Sequence, residues 1–253
     1  MNNALEFNVQ NRDGSHVART VNVKKLCLGI GTSRNVEAIR ESLRKLSDEG
    51  YRIMEPAYIC KKSRYLVTNE DVIEVQGPHT YGEVEYVVIS DKGETLISVG
   101  CDHNDMPLCA MQTEGLGKVY DSPKEKQMVP AVIARDAWKY EEVRDHWDKL
   151  NVKNTVVANG MIIPYQDYML EKLFGPEYHF SNHPWLKDDG VILFGGSSET
   201  LPSVPANVCN SMSVASSIRN LVFPSEFRFE IVDPIMNRRI FHSYQVLSLE
   251  EPY

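Results

Sequence analysis

Gly82-Glu83-Val84-Glu85-Tyr86-Val87-Val88-Ile89, a turn at Asp91-Lys92-Gly93, and Thr95-Leu96-Ile97-Ser98-Val99-Gly100-Cys101-Asp102 together decide how this chain is read. Two runs rich in β-branched residues flank a Lys-Gly pair, which is the pattern of a hairpin. Residues i and i+2 of a strand point to one face, so the Glu83 and Glu85 carboxylates project the same way. A two-residue turn at Lys92-Gly93 would set Asp102 directly across from Glu83. A slip of one residue would send Asp102 to the other face. Three carboxylates held together repel unless a cation or proton intervenes. Their oxygens suit Mg2+, Mn2+ or Ca2+ better than zinc. The spacing is therefore that of an open divalent-metal site or, more plainly, that of a solvated strand face.

Around this ribbon the chain reads as β-rich. Leu5 to Val9 and Val17 to Val23 alternate about an Arg12-Asp13-Gly14 turn, and Leu26 to Ile30 adds a third short apolar run. The clearest helix follows, capped by Ser33 or Asn35, with Val36, Ile39, Leu43 and Leu46 on one face and Gly50 as its stop. Helices are also expected over Trp138 to Leu150 and Tyr168 to Phe174, and loop or short helix over residues 103–127. Val129 to Ala134 reads as an edge strand because of Pro130. Val191 to Phe194 is a buried strand running into Gly195-Gly196-Ser197-Ser198. Phe227 to Val232 and Ile240 to Leu249 close the chain as a hairpin. Many hairpins and few helices point away from alternating βαβ units. Residues 1–50 are expected as a small strand-helix subdomain and residues 51–253 as the main domain.

Composition narrows the class. The 253 residues are 42% hydrophobic and 25% charged, as in a globular protein with a substantial core. A formal charge of −8 argues against nucleic acid and anionic membrane surfaces as partners. No apolar run reaches the length of a membrane span, and the first residues lack the basic and apolar regions of a secretory signal. Cys27, Cys60, Cys101, Cys109 and Cys209 are scattered without CxxC spacing, which suggests free thiols and a cytoplasmic protein.

Other constellations compete for attention. Gly29-Ile30-Gly31-Thr32-Ser33-Arg34 imitates the start of a dinucleotide fingerprint, but Arg34 stands where the third glycine belongs. A tight turn leading into a capped helix is the better account. His179 and His183 have a zinc-like spacing if helical, yet Gly175-Pro176 and Pro184 argue for surface loop histidines. Cys101 and Cys109 lie near His103 without a nucleophile signature, and buried thiols are expected. His103, beside Asp102, is either a proton carrier or a histidine satisfied by its loop. Lys126 is either an anion contact or a solvated lysine.

The order of these motifs carries more than any one of them. Gly82 to Ile89, then Gly100-Cys101-Asp102-His103-Asn104-Asp105, then Lys126 before an apolar strand, then Gly190 to Gly196 and a last hairpin, resembles the fumarylacetoacetate hydrolase superfamily. There an E-x-E strand, an aspartate one hairpin later, a lysine and a GDIILTGTP-like strand-loop follow in this order. The match is closest to a short, divergent bacterial branch catalogued as a domain of unknown function. That branch has a GEVE strand, a GSDHTD-like segment and a KQ pair. The resemblance spans most of residues 50–250.

It implies a β-rich mixed roll of the α+β class, a homodimer, and Glu83, Glu85 and Asp102 as ligands of Mg2+ or Mn2+. Lys126 matches the lysine that contacts substrate, and Gly195, Gly196 and Ser197 match the loop that closes over it. The superfamily's arginine after the aspartate is missing here, since Met106-Pro107 follows Asp105. A histidine–glutamate pair on a lid has only His79 and His103 as candidates. The implied activity is divalent-metal-dependent hydrolysis of a C–C or C–N bond in a small oxo-acid or cyclic imide-like metabolite. His103 or Asp105 would activate water and Lys126 would stabilise the oxyanion. Decarboxylation or keto–enol isomerisation is the alternative within the superfamily, and binding of a metabolite or metal without turnover is the alternative outside it.

Overall fold

Thr80–Asp91 and Glu94–Asp105 pair antiparallel, with Lys92 and Gly93 as the two turn residues and Glu83 directly opposite Asp102. Both turn residues take positive φ, 51° and 75°, as the tight turn that matches strand twist requires. The structure, a computed structural model, describes residues 3–48, 55–109, 123–210 and 218–250.

In chain order the strands are β1 (Ala4–Gln10), β2 (His16–Asn22), β3 (Lys25–Ile30), β4 (Tyr58–Lys62), β5 (Val67–Thr68), β6 (Val72–Val75), β7 (Thr80–Asp91) and β8 (Glu94–Asp105). Next come β9 (Ala131–Ile133), β10 (Asp136–Lys139), β11 (Asn151–Ala158), β12 (Met161–Met169), β13 (Val191–Phe194), β14 (Glu226–Asp233) and β15 (Arg238–Ser248). Among the described residues they form two sheets. One runs β2-β1-β10-β8-β7-β13-β3-β4, with β9 also beside β8 and β5 beside β9. The other runs β12-β11-β14-β15-β6.

The hairpin β7–β8 is the shared wall. Val84, Tyr86, Val99 and Cys101 point back into a core with Phe227, Phe229 and Tyr244 of the second sheet. Val87, Ile89 and Leu96 point forward into another core with Leu5 and Phe7 of β1, Leu26 and Leu28 of β3, and Cys60 of β4. β1 and β4 lie near opposite ends of the strand order, so a sheet whose ends share one core is rolled upon itself. The carboxylate face of the ribbon is the continuation of this inner face.

The first strands are built into the roll, because β1 pairs with β10 and β3 with β13. The boundary expected at residue 50 therefore does not separate two sheets or two cores. The long helix α1 (Val36–Asp48) forms as expected, and the Asn35 side chain accepts the Ala38 N–H at its N-terminus. The side chains of Leu43 and Leu46, and Gly50, lie outside the described residues.

Several helical expectations are corrected. Trp138 belongs to β10, and only a short helix at Tyr140–Val143 and a 3-10 stretch at Arg144–Lys149 follow it. Tyr168 lies in β12, followed by a single 3-10 turn at Leu170–Lys172. A bulge explains that misreading. Gln166 pairs with Asn154 and Pro164 with Thr155, leaving Tyr165 as the extra residue. Buried positions then fall at Ile163, Tyr165, Gln166 and Tyr168, a spacing that imitates a helix. Conversely Pro176–Asn182 is helical, because Pro176 sits in the first turn where its missing N–H costs nothing. No disulfide is present among the described residues, and no helix among them is long and apolar enough to cross a membrane.

Candidate functional site

Asp102 anchors the site. Its Oδ1 lies 2.9 Å from the Lys62 ammonium and its Oδ2 2.5 Å from that of Lys126. The Lys62 and Asp102 side chains are both 0% exposed, whereas Lys126 keeps 13% of its side chain open. Lys62 was not among the residues expected from the sequence. It ends β4, where Cys60 and Lys62 are buried on one face and Ile59 and Lys61 lie on the other. The signal was the two-residue spacing that puts Lys62 on the face of the apolar Cys60. Lys126 closes the helical turn Pro123–Lys126.

The glycine loop after β13 lies against the two glutamates. The Gly196 N–H donates to Glu85 Oε2 at 2.6 Å, and the Ser197 hydroxyl donates to Glu83 Oε2 at 3.0 Å. Gly195 must lack a side chain, because a Cβ there would come within 1.9 Å of the Tyr86 ring. Gly196 has φ +97°, and a Cβ would fall 2.0 Å from Thr32 Oγ1. The Thr32 hydroxyl donates to the Gly195 carbonyl at 2.7 Å. The end of β3 and the bend at Gly31, φ 64°, thus seat Thr32 beneath this loop. From behind, the Gln166 amide accepts from the Val84 N–H and donates to the Ser198 carbonyl, which ties the hairpin to the loop.

The electrostatics set the carboxyl groups apart. Burial and the neighbouring Asp102 charge push Glu85 up to about 8. Burial also opposes ionisation of Asp102, but Lys126 and Lys62 outweigh it and hold that carboxyl below its ordinary value. Burial pushes the Lys62 ammonium down against the pull of Asp102. For Lys126 burial is overcome by Asp102 and Glu85, and its value is raised. One acid that keeps its proton beside one that does not is an arrangement that clusters at functional sites.

His103 is not part of this face. As the neighbour of Asp102 in a strand it points to the opposite side. It is 0% exposed, with Nδ1 at 3.0 Å from Thr80 Oγ1 and Nε2 against the Tyr244 hydroxyl. Burial, with Lys62 next, pushes it down to about 3, so it stays neutral and structural. The expected role as activator of water is therefore corrected. Asp105 is also turned aside, where its Oδ1 accepts the Leu108 N–H. His79 packs edge-on against Phe223 with ring centroids 5.1 Å apart. His179, expected on the surface, is 0% exposed with Nε2 at 3.1 Å from the Tyr86 hydroxyl. Of the expected site residues, the structure brings together Glu83, Glu85, Asp102, Lys126, Gly195, Gly196 and Ser197. Among the described residues no three His, Cys, Asp or Glu side chains are arranged as a metal cluster.

A rolled sheet with a carboxylate-bearing hairpin under a glycine loop is the fold of fumarylacetoacetate hydrolase family structures. Similar solved structures carry that fold. One is a protein from Oleispira antarctica, provisionally assigned as a fumarylacetoacetate isomerase/hydrolase: TM-score 0.55, 11% identity, 96% of this chain and 99% of that one. A yeast fumarylacetoacetate hydrolase family protein matches with TM-score 0.51 and 12% identity over 91% of this chain and 96% of its own. A 2-keto-3-deoxy-D-arabinonate dehydratase matches with TM-score 0.51 and 14% identity over 94% and 84%. The chain belongs to the family described as protein of unknown function (DUF2848), which residues 31–244 match. No curated protein matches the chain.

Proposed function

We propose that this protein is a divalent-cation-dependent hydrolase that cleaves a C–C or C–N bond in a small oxo-acid or cyclic imide-like metabolite. The observation that supports it best is the pairing of Glu83 with Asp102 on the ribbon face that also carries Glu85, with Lys126 on the outer oxygen of Asp102. The donor types favour a hard cation, since they are carboxylate oxygens.

Glu83, Glu85 and Asp102 would hold Mg2+ or Mn2+. When bound, that cation supplies Lewis-acid polarisation of a substrate carbonyl. Lys126, partly open and permanently charged, offers its ammonium to the oxyanion that develops. Gly196 and Ser197 steady the two glutamates and form the wall beside them. The resemblance to the superfamily carries a homodimer with it, which light scattering tests; a monomer mass removes that part.

One observation favours a second reading. With both nitrogens of His103 engaged in the core, neither it nor Asp105 faces the carboxylates as an activator of water. Decarboxylation or keto–enol isomerisation needs carbonyl polarisation and an enolate-stabilising cation, but no attacking water. Neighbours described as an isomerase/hydrolase and a dehydratase lie within the same fold.

The test is Glu83→Ala. It should lose both Mn2+ and turnover on a panel of oxo-acids and imides, and full activity with chelator present ends both readings. Label from 18O-water in a carboxyl product selects hydrolysis over the second reading.

A further inference from the structure

Lys62 has no catalytic role in the readings above, yet its side chain is as fully enclosed as that of Asp102. Its ammonium reaches Asp102 Oδ1 from β4, across the inner face of the roll, at 2.9 Å and with no exposure. Its side chain has no contact with solvent. Lys126, the other partner of Asp102, is the one that is open. One aspartate is thus shared between an outward lysine and a sealed one.

We propose that Lys62 is a positioning residue that sets the charge balance of the carboxylate face, weakening its hold on a divalent cation and strengthening the hold of the cation-loaded site on an anionic substrate. The inference rests on the cation reading given under Proposed function. Three carboxyl groups face two ammoniums, and without Lys62 they would face one. A fixed positive charge a few ångströms from a bound dication repels it, and the repulsion is felt strongly where water is excluded. The same charge attracts an anion approaching the loaded site. By taking Oδ1, Lys62 also turns Asp102 so that only Oδ2 lies toward Lys126 and the open side.

A purely structural lysine would behave differently on removal. Its loss would loosen Asp102 and weaken both kinds of binding together. The charge-balancing role demands movement in opposite directions, so the sign of two affinities decides the matter without reference to turnover.

The experiment compares the full chain with Lys62→Met. Mn2+ affinity is measured by electron paramagnetic resonance on chelator-stripped protein. The affinity of the Mn2+-loaded protein for pyruvate, the simplest 2-oxo acid, is measured by water-proton relaxation. The expected result is Mn2+ binding tighter by about tenfold or more, with pyruvate binding weaker by a similar factor. Should Lys62→Met fail to fold, Lys62→Gln carries the same two-sided expectation, since its amide donates to Asp102 without a charge. Mn2+ binding that is unchanged or weaker in a folded variant overturns this inference while leaving the proposed function standing. Absence of Mn2+ binding in the unaltered protein overturns both.

Discussion

Asp102 Oδ1 and the Lys62 ammonium are 2.9 Å apart, and neither side chain reaches solvent. Such a pair adds little as a pair, but losing one partner leaves a buried charge alone. Asp102→Ala is expected to cost about 3–5 kcal/mol in urea unfolding. The double variant Asp102→Ala with Lys62→Met should recover part of that loss. A single-variant cost under about 1 kcal/mol, the range of exposed pairs, would contradict the enclosure described.

The pH dependence of stability should carry the signature of Glu85. Its folded value of about 8 stands above the ordinary glutamate value of 4.5. The folded state then binds this proton more tightly than the unfolded state does, so stability falls as pH rises between those two values. Glu85→Gln removes the term. In chelator, the melting temperature of the variant should fall less than that of the unaltered protein between about pH 5 and pH 8. Parallel curves would show that Glu85 is not held protonated.

His103 gives the opposite trend. Buried and neutral down to about 3, it opposes the proton that the unfolded chain accepts below about 6.5. Its contribution is complete above the unfolded value and is lost as pH falls toward 3. His103→Gln should lower stability by roughly 1–3 kcal/mol, because the Tyr244 hydroxyl loses its imidazole partner. It should leave the acid limb of the rate–pH profile where it was. Disappearance of that limb would restore His103 as a proton carrier.

The glycine loop can be probed through Gly195. A methyl group there meets the Tyr86 ring at 1.9 Å, and the Tyr86 hydroxyl is fixed by the Phe174 carbonyl and His179 Nε2. Gly195→Ala should destabilise by about 1–3 kcal/mol, the usual cost of overpacking. Tyr86→Leu in the same chain should return part of it. A neutral Gly195→Ala would mean the loop stands farther from the ring.

The ribbon was legible because strand alternation and a two-residue turn fix geometry locally. Glu83, Glu85 and Asp102 share a face for no other reason. The glycine loop was legible through order along the chain. Lys62 was not, since its meaning lies in β4 crossing the roll to meet β8, and nothing near residue 62 announces that meeting. His103 was misjudged for the reverse reason. Proximity to Asp102 in sequence suggested partnership, whereas strand geometry turns neighbours apart. At Tyr165 a bulge replaced a period of two by something closer to three and a half, and at Pro176 a proline opened a helix that it was expected to forbid.

The rolled sheet has a consequence for how the molecule comes into being. β4 leaves the ribosome well before β8, so the Lys62 ammonium stays hydrated until the later strand is made and the ends of the sheet meet. The buried charge pair therefore belongs to the contacts of high sequence separation, which form only when the two distant strands come together.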